Sequence, residues 1–245
     1  MHELNLENGE KFAIYEAKPN GNIKGGIILI HEVWGLLNHI KDVADRYANE
    51  GYLVIAPELI LNEDFSDEEI EHLQECIFDP EKRNSVQTEL RRLMDPIYTP
   101  EFTDKTLNKL KVVFQHLWNN PEVRQNIGVI GFCFGGTYSY LFPTIEPRIK
   151  LAIPYYGRSA SLTHEQISNI HCPIRAFYGE NDKGLVDDLD DLKNKMKISG
   201  VDYSAIVYPN CAHAFFNDTN SYAYNEFAAK DSFEKVKEYL NEYLA

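Results

Sequence analysis

The sequence of 245 residues has few basic side chains and no long apolar run, and each shortage excludes a class of protein. Lysine and arginine total 24 against 38 aspartates and glutamates, which leaves a formal charge of −14. Because nucleic acids and anionic membranes are themselves negative, this balance argues against both as partners. No apolar stretch reaches the roughly 18–20 residues that a helix needs to cross a bilayer. We therefore expect neither nucleic acid nor a membrane among its partners.

Cysteine is also scarce: the four cysteines lie far apart and form no Cys-x-x-Cys pair. A chain with 44% hydrophobic and 12% aromatic residues can build a core without disulfides, so we expect free thiols in a reducing compartment. The first twelve residues carry neither a basic nor an apolar segment, and so show no export signal. These features predict a cytoplasmic protein, and the length is that of a single domain over 1–245.

Short apolar runs alternate with helical patterns along most of the chain. Gly25–Ile30 is a continuous apolar run, as expected for a strand buried on both faces, and Leu37–Glu50 follows it as a helix. This alternation predicts an α/β fold with a mostly parallel central sheet and helices on both faces. Further strands are predicted at Phe12–Ala17, Tyr52–Ala56, Asn126–Phe132, Lys150–Tyr156, Pro173–Tyr178 and Tyr203–Tyr208, and further helices at Thr103–Asn119 and near Tyr222–Tyr243.

The segment Asn62–Pro100 interrupts this alternation. It is strongly charged, contains no convincing strand, and has at Ser66 and Glu69 the residues of a capping box. We predict a helical insertion between two strands of the sheet. It would form one wall of a pocket or serve as a plain connection, and the sequence leaves both open.

The most specific local pattern is Gly131–Gly136, which reads Gly-Phe-Cys-Phe-Gly-Gly between a predicted strand and a helical stretch. It matches the G-x-S-x-G nucleophile elbow, with Cys133 in the place of serine. Glycines flank the nucleophile because side chains there would collide with the strand, and the helix N-terminus behind it favours a thiolate. By itself the segment also fits a small buried cysteine in a glycine-rich turn.

Two later segments favour the nucleophile. Asp182 follows the strand at Pro173–Tyr178, and His213 follows the strand at Tyr203–Tyr208. Nucleophile, acid, base is the chain order of α/β-hydrolases, in which the acid holds the histidine in one tautomer and the histidine transfers the proton. Either residue alone is more often a turn or structural residue. Three in this order, each just beyond a strand, favour a triad that includes Cys133.

Glu32 is unusual because it lies in the loop after the first buried strand, where an α/β-hydrolase supplies an oxyanion-hole N–H. In that position a carboxylate would lie near the elbow, and the carboxylate and the thiol would each shift the pKa of the other. The alternative is a loop carboxylate that faces solvent.

Five motifs together resemble the dienelactone hydrolase family, the carboxymethylenebutenolidase-like proteins. The resemblance covers nearly the whole chain and is weakest across the insertion. The motifs are His31–Gly35, Gly131–Gly136, Pro154–Gly157, Gly179–Asp182 and His213–Phe215.

The resemblance implies an α/β-hydrolase fold with Cys133, His213 and Asp182 as the triad. It also implies that Glu32 contacts the thiol and takes its proton as substrate binds, and that an oxyanion hole is formed by the N–H groups of Val33 and Phe134. The thiolate would attack a small lactone or ester, and the acyl-enzyme would then be hydrolysed. No metal or organic cofactor is implied.

One departure concerns the substrate. The family carries an arginine a few residues after the catalytic histidine, where this chain has Asn217. Loss of a bidentate arginine weakens the case for a small anionic lactone. Arg158 is a candidate replacement, and Trp34, Tyr156 and the insertion residue Arg91 are further candidate substrate-binding residues. The resemblance implies a second substrate-binding arginine in the insertion, where Arg83 and Arg92 are alternatives to Arg91.

Two other hypotheses remain. The first is a ligand-binding or thiol-sensor protein on a hydrolase scaffold, which would keep Cys133 but lack deacylation. Separation of Asp182 from His213 in the structure would favour it. The second is a diverged relative of serine-type peptidases, against which the cysteine at the elbow argues.

Overall fold

The structure is a computed structural model that describes residues 1–60, 66–79, 81–159 and 162–245. Within these residues a central sheet holds eight strands. They are β1 (His2–Asn5), β2 (Lys11–Ala17), β3 (Gly25–Ile30), β4 (Tyr52–Pro57), β5 (Ile127–Phe132), β6 (Leu151–Tyr155), β7 (Ile174–Gly179) and β8 (Tyr203–Tyr208).

Helices connect most of these strands. The α-helices are α1 (Asn38–Asn49), α2 (Asp67–Phe78), α3 (Gln87–Met94), α4 (Pro100–Trp118), α5 (Phe134–Leu141), α6 (His164–Ser168), α7 (Lys183–Val186), α8 (Leu189–Ile198) and α9 (Glu226–Tyr243). Short 3₁₀ helices occupy Arg83–Val86, Asp95–Tyr98 and Phe142–Thr144.

The strand order is β1-β2-β4-β3-β5-β6-β7-β8. Strands β1 and β2 pair antiparallel with their neighbours, and every pairing from β4 to β8 is parallel. Parallel strands end at the same edge of a sheet, so the loops that follow β3, β5, β6, β7 and β8 meet there. The predicted α/β fold with a mostly parallel sheet is confirmed.

The central strands are buried because both faces of the sheet are covered. Every residue of β3, β4, β5 and β6 is buried, as their continuous apolar sequences predict. Near the carboxyl edge, ring centroids of Phe132 and Tyr155 lie 4.7 Å apart, and those of Tyr155 and Phe177 4.8 Å apart. This aromatic packing fixes the strand ends from which the loops of that edge depart.

The insertion is helical where the structure describes it, and residues 62–65 and 80 lie outside the described part. Helices α2 and α3 and two 3₁₀ helices occupy it, with no strand in the described residues. The capping box is present: the Glu69 N–H donates to Ser66 Oγ, and the Ser66 N–H donates to Glu69 Oε2 at 2.7 Å. The predicted helical insertion is confirmed for these residues.

Two differences from the sequence prediction have local causes. Strand β1 carries a single apolar residue, Leu4, and is mostly exposed, so it gives no strand pattern. The last helix starts at Glu226 and not near Tyr222, because the Asn225 side chain accepts the Ala228 N–H and caps the helix there. Among the described residues, no helix has the length and apolar character needed to cross a bilayer.

Candidate active site

Cys133 lies at a strained turn between β5 and α5. Its φ is +54° and its ψ −108°, a conformation that a side chain disfavours and that concentrates at functional sites. The Cys133 N–H donates to the Tyr155 carbonyl at 3.0 Å, and the Thr137 N–H donates to the Cys133 carbonyl at 3.1 Å. These two bonds hold the thiol at the first turn of α5, at the carboxyl edge of the sheet.

Glycines make this turn possible. A Cβ added at Gly131 would lie 2.1 Å from the Gly135 carbonyl oxygen, and one at Gly135 would lie 2.2 Å from the Ile30 carbonyl oxygen. Both obstacles are backbone atoms, which cannot move aside cheaply. The elbow glycines are therefore required by the approach of α5 to β3 and β5, as the sequence pattern predicted.

The structure brings His213 and Asp182 together. His213 Nδ1 hydrogen-bonds with Asp182 Oδ2. Strands β7 and β8 pair with Gly179 opposite Tyr208, so the loops that carry the two residues leave the sheet side by side. A backbone bond joins those loops, since the Asn181 N–H donates to the carbonyl of Cys211 at 2.9 Å.

Opposing effects act on the imidazole of His213. Burial lowers its pKa, but the negative charge on Cys133 and hydrogen bonds with Asp182 and Cys133 outweigh this and raise the pKa well above its usual value. The raised pKa favours the imidazolium form of the ring. An adjacent imidazolium is what stabilises a thiolate nucleophile.

His31 fixes the loop that follows β3. Its Nδ1–H donates to the Glu32 carbonyl at 2.5 Å, and its Nε2 accepts the Leu59 N–H at 3.1 Å. Burial lowers the pKa of His31 to about 4, so the neutral ring keeps this tautomer at neutral pH. The loop also touches the elbow, because the Gly135 N–H donates to the His31 carbonyl at 3.1 Å.

Two backbone donors near Cys133 are available to a ligand. Within the part of the chain that the structure describes, the N–H groups of Val33 and Phe134 have no hydrogen-bond acceptor. Both residues line the cavity at Cys133, and Phe134 begins α5, where N–H groups point out of the helix. This pair can bind an oxyanion that forms beside the thiol.

Glu32 is 3% exposed and is not a solvated loop carboxylate. Its Oε2 accepts from Asn217 Nδ2 at 2.8 Å, and its Oε1 accepts from the Tyr156 hydroxyl at 3.4 Å. Burial and the charges of Glu32 and Cys133 raise the pKa of Tyr156 well above its usual value, so the phenol remains a donor. No hydrogen bond in the described residues joins Glu32 directly to Cys133, the contact that the resemblance implied.

Cys133 opens into a cavity of about 510 Å³. His213 and Asp182 line it, together with Tyr156 and Arg158, two of the four candidate substrate-binding residues. Most of the other walls are apolar, and the insertion contributes one of them. The apolar lining comprises Val33, Met94, Ile97, Phe134, Tyr138, Leu141 and Leu185.

The other two candidate substrate-binding residues lie elsewhere. Trp34 lines a second cavity of about 450 Å³, and Arg91 is exposed on α3 and lines neither of these two cavities. The sequence analysis left open whether the insertion forms a pocket wall, and it did not single out Met94 and Ile97, which belong to no functional motif. The contact between Asn217 and Glu32 was also missed, although the family arginine at that position marked it as a site of interest.

Comparisons with known proteins identify the family of the chain. The dienelactone hydrolase family model matches residues 12–244. A Saccharolobus solfataricus protein named "Putative carboxymethylenebutenolidase" is 32% identical, with 95% of each chain covered. The protein usf of Aquifex pyrophilus is 30% identical, with 97% of this chain and 96% of usf covered. These matches confirm the resemblance that the five motifs indicated.

Solved structures show the same fold at lower identity. The structure titled "Putative Dienelactone Hydrolase" from Klebsiella pneumoniae matches with a TM-score of 0.80 at 22% identity, covering 99% of this chain and 98% of that one. A fungal esterase from Rhizomucor miehei matches at 0.71 and 12% identity, covering 99% and 82%. The chain thus belongs to the dienelactone hydrolase family and is a carboxymethylenebutenolidase-like hydrolase with the α/β-hydrolase fold.

Proposed function

We propose that this hydrolase cleaves small, largely apolar carboxylic esters or lactones through a Cys133 thiolate and an acyl-enzyme. The observation that carries the proposal is the group of Cys133, His213 and Asp182 in the wall of the cavity. Strained Cys133 contacts His213, His213 is paired with Asp182, and the group opens into a cavity with mostly apolar walls. An apolar wall suits an uncharged acyl group and strengthens the electrostatic interactions inside the cavity.

Acylation uses the residues as follows. The Cys133 thiolate attacks the carbonyl carbon, and the carbonyl π electrons move to the oxygen. The N–H groups of Val33 and Phe134 stabilise this oxyanion. When the intermediate collapses, the bond to the alcohol oxygen breaks and the His213 imidazolium gives that oxygen a proton. The products are a free alcohol, or the alcohol end of an opened lactone, and a thioester on Cys133.

In deacylation His213 acts as a base, whereas in acylation it acts as an acid. Neutral His213 removes a proton from water, and the hydroxide attacks the thioester carbonyl. Collapse expels the Cys133 thiolate and releases the carboxylic acid, and the restored imidazolium again pairs with the thiolate. Asp182 holds His213 in the tautomer that both steps need and stabilises its positive charge.

Glu32 would receive the proton when a neutral thiol ionises. Tyr156 connects the two parts of the site: its hydroxyl donates to Glu32, and its ring centroid lies 4.9 Å from that of His213. In this proposal, rotation of the Glu32 side chain brings its carboxylate to the thiol as substrate binds. Two observations support this role: the resemblance to the family, and the burial of Glu32 against Tyr156, which lines the cavity at Cys133.

The test is rapid-mixing kinetics with p-nitrophenyl acetate. We expect a burst of about one equivalent of p-nitrophenol per chain, followed by slower turnover, because the thioester forms faster than it is hydrolysed. Cys133→Ala should lose both phases, with turnover at least about a thousandfold lower. Cys133→Ser is the matched control that keeps the size of the side chain.

Turnover that survives in Cys133→Ala would overturn the mechanism. A rapid single-equivalent acylation with no turnover across a panel of esters and lactones would instead support the ligand-binding or sensor hypothesis. Separation of His213 from Asp182 would have favoured the sensor hypothesis, and the pairing of the two residues removes that support.

A further inference from the structure

The second cavity, of about 450 Å³, is not used by the proposed mechanism. Residues from three segments far apart in the chain line it: 32–40, the insertion residues Gln74, Glu75 and Lys82, and the loop at 217–222. In the described residues it shares no lining residue with the cavity at Cys133. Glu32 lines it, so it borders the site without containing the triad.

Its walls are polar, and the charged side chains among the described lining residues are Glu32, Glu75 and Lys82. Four carboxamide side chains and two aromatic side chains line it: Asn38, Gln74, Asn217 and Asn220 with Trp34 and Tyr222. The walls of the cavity at Cys133 have no carboxamide among the described residues. Several amides in one cavity can bind several polar atoms of one small cyclic ligand, and the aromatic side chains beside them can pack against its apolar face.

Asn220 supplies an independent observation. Its side chain is 4% exposed, and its Oδ1 accepts the Tyr222 N–H at 3.2 Å. Its Nδ2 has no acceptor among the described residues. Buried donors are normally paired, and each exception calls for an explanation. The atom has almost no accessible surface, so an oxygen atom of a molecule in the cavity would pair it once the Asn220 side chain turns toward the cavity that the residue lines.

The chemistry of the ligand follows from two opposite demands. Asn220 Nδ2 needs an acceptor, whereas the Glu32 carboxylate only accepts and has lone pairs beyond its two described bonds. A carboxylate ligand would pair with Asn220 and Lys82 but be repelled by Glu32 and Glu75, and an ammonium ligand would suit the two carboxylates but leave Asn220 unpaired. A hydroxyl group both donates and accepts, and so satisfies both residues.

We propose that the second cavity binds a neutral polyhydroxylated ring, a monosaccharide or a cyclitol, at a site distinct from the Cys133 cavity. Ring hydroxyls pair with the amides and with Glu32, and the C–H faces of the ring pack on Trp34 and Tyr222. The volume lies in the range of small-molecule sites, roughly 300–1,000 Å³. This inference does not depend on the nucleophile or on the reaction.

Tryptophan fluorescence tests the proposal directly. The chain has two tryptophans, so Trp118→Phe leaves Trp34, in the cavity wall, as the reporter. In that background we expect myo-inositol or D-glucose to give a saturable change with a dissociation constant in the millimolar range. Sodium acetate and methylammonium chloride, the acceptor-only and donor-only probes, should give no saturable change.

Asn220→Ser is the decisive variant. A serine oxygen can still accept the Tyr222 N–H, but the amide donor is gone, so affinity should fall about tenfold. Gln74→Leu, on the opposite segment of the wall, is a second variant and should weaken binding several-fold. Asn194→Ser, at an exposed position of α8, is the matched control and should bind as the parent does. A cooperative thermal transition verifies that each variant is folded.

Three results would overturn the proposal. The first is the absence of a saturable change with both polyols up to about 100 mM. The second is equal affinity in the parent, Asn220→Ser and Gln74→Leu. The third is loss of binding in Cys133→Ala, which would place the polyol in the other cavity. Unchanged binding in Cys133→Ala supports the proposal, and that variant's loss of hydrolysis would test the mechanism separately.

Discussion

The two cavities are similar in volume, about 510 and 450 Å³, but their walls differ in kind. The cavity at Cys133 has mostly apolar walls, with Cys133, His213 and Asp182 together at one point. The second cavity is lined by amides and by the charged side chains of Glu32, Glu75 and Lys82. Apolar surroundings strengthen a thiolate–imidazolium pair and an oxyanion–amide contact, whereas amides offer many exchangeable hydrogen bonds. The first cavity places its reactive groups in apolar surroundings, and the second spreads hydrogen-bonding groups over its surface.

Glu32 and Tyr156 join the two cavities. Tyr156 lines the first cavity and donates to Glu32, which lines the second and accepts from Asn217. Substitutions on either side of this pair should therefore separate hydrolysis from ligand binding. The predictions below are ordered from the largest expected effect to the smallest.

Asp182→Asn should have the largest effect. It should lower hydrolysis at the cavity of Cys133 and leave ligand binding in the second cavity unchanged. Asparagine cannot stabilise the His213 imidazolium or keep its tautomer, so we expect kcat to fall by about 10³–10⁴. Steady-state hydrolysis of p-nitrophenyl acetate measures it, with the polyol titration as a control that should not change. A kcat within tenfold of the parent would remove Asp182 from the triad.

His31→Gln should change the pH dependence of stability, because His31 fixes the loop between the cavities. The pKa of His31 is about 4 in the folded chain and about 6.5 when unfolded, so the neutral ring stabilises the fold above pH 6.5. This contribution is lost as the pH falls from 6.5 to 4, and it amounts to about 3 kcal/mol.

Urea unfolding at pH 7.5 and pH 4 measures this difference. The parent should lose about 3 kcal/mol more free energy of unfolding than His31→Gln over that interval, since glutamine does not titrate. Carboxylates that titrate over the same interval are common to both proteins and cancel in the comparison. Equal losses would show that burial does not hold His31 neutral.

Glu32→Gln should have an intermediate effect. Glutamine keeps the shape and one acceptor oxygen but removes the charge and the proton acceptor, so we expect kcat/KM to fall tenfold to a hundredfold. The rate at which iodoacetamide alkylates Cys133 should fall with it. If both rates matched those of the parent, the proposed activation by Glu32 would be wrong.

Arg158→Gln should have the smallest effect and should depend on substrate charge. Arg158 is exposed and is the one lysine or arginine among the described residues that line the cavity at Cys133. KM should rise several-fold for an ester that carries a carboxylate and should stay nearly constant for the neutral isostere. Equal changes for both esters would indicate a role that does not involve charge.

The sequence predicted those parts of the site that local sterics impose. Gly131 and Gly135 are glycines because backbone atoms lie where a Cβ would be, and this requirement is visible in a single segment. The positions of Asp182 and His213 followed from chain order and from strand ends. Strand boundaries shifted by about one residue at most of the predicted strands.

The second cavity could not be predicted, because its walls come from segments that tertiary packing alone brings together. Asn217 and Glu32 are 185 residues apart in sequence and form a buried hydrogen bond. Asn217 was recognised only as a missing arginine, and Trp34 was expected to serve the substrate and lines the other cavity. Neither position carries a periodic or motif signal for these contacts.

The central claim, that Cys133 carries the acyl group, can be tested by mass spectrometry of the intact chain. The enzyme is mixed with p-nitrophenyl butyrate and quenched in acid within the first turnovers. We predict a mass increase of one butyryl group, located by digestion on the peptide that contains Cys133 and absent from Cys133→Ala. Full turnover without an adduct, or an adduct on another residue, would contradict the account.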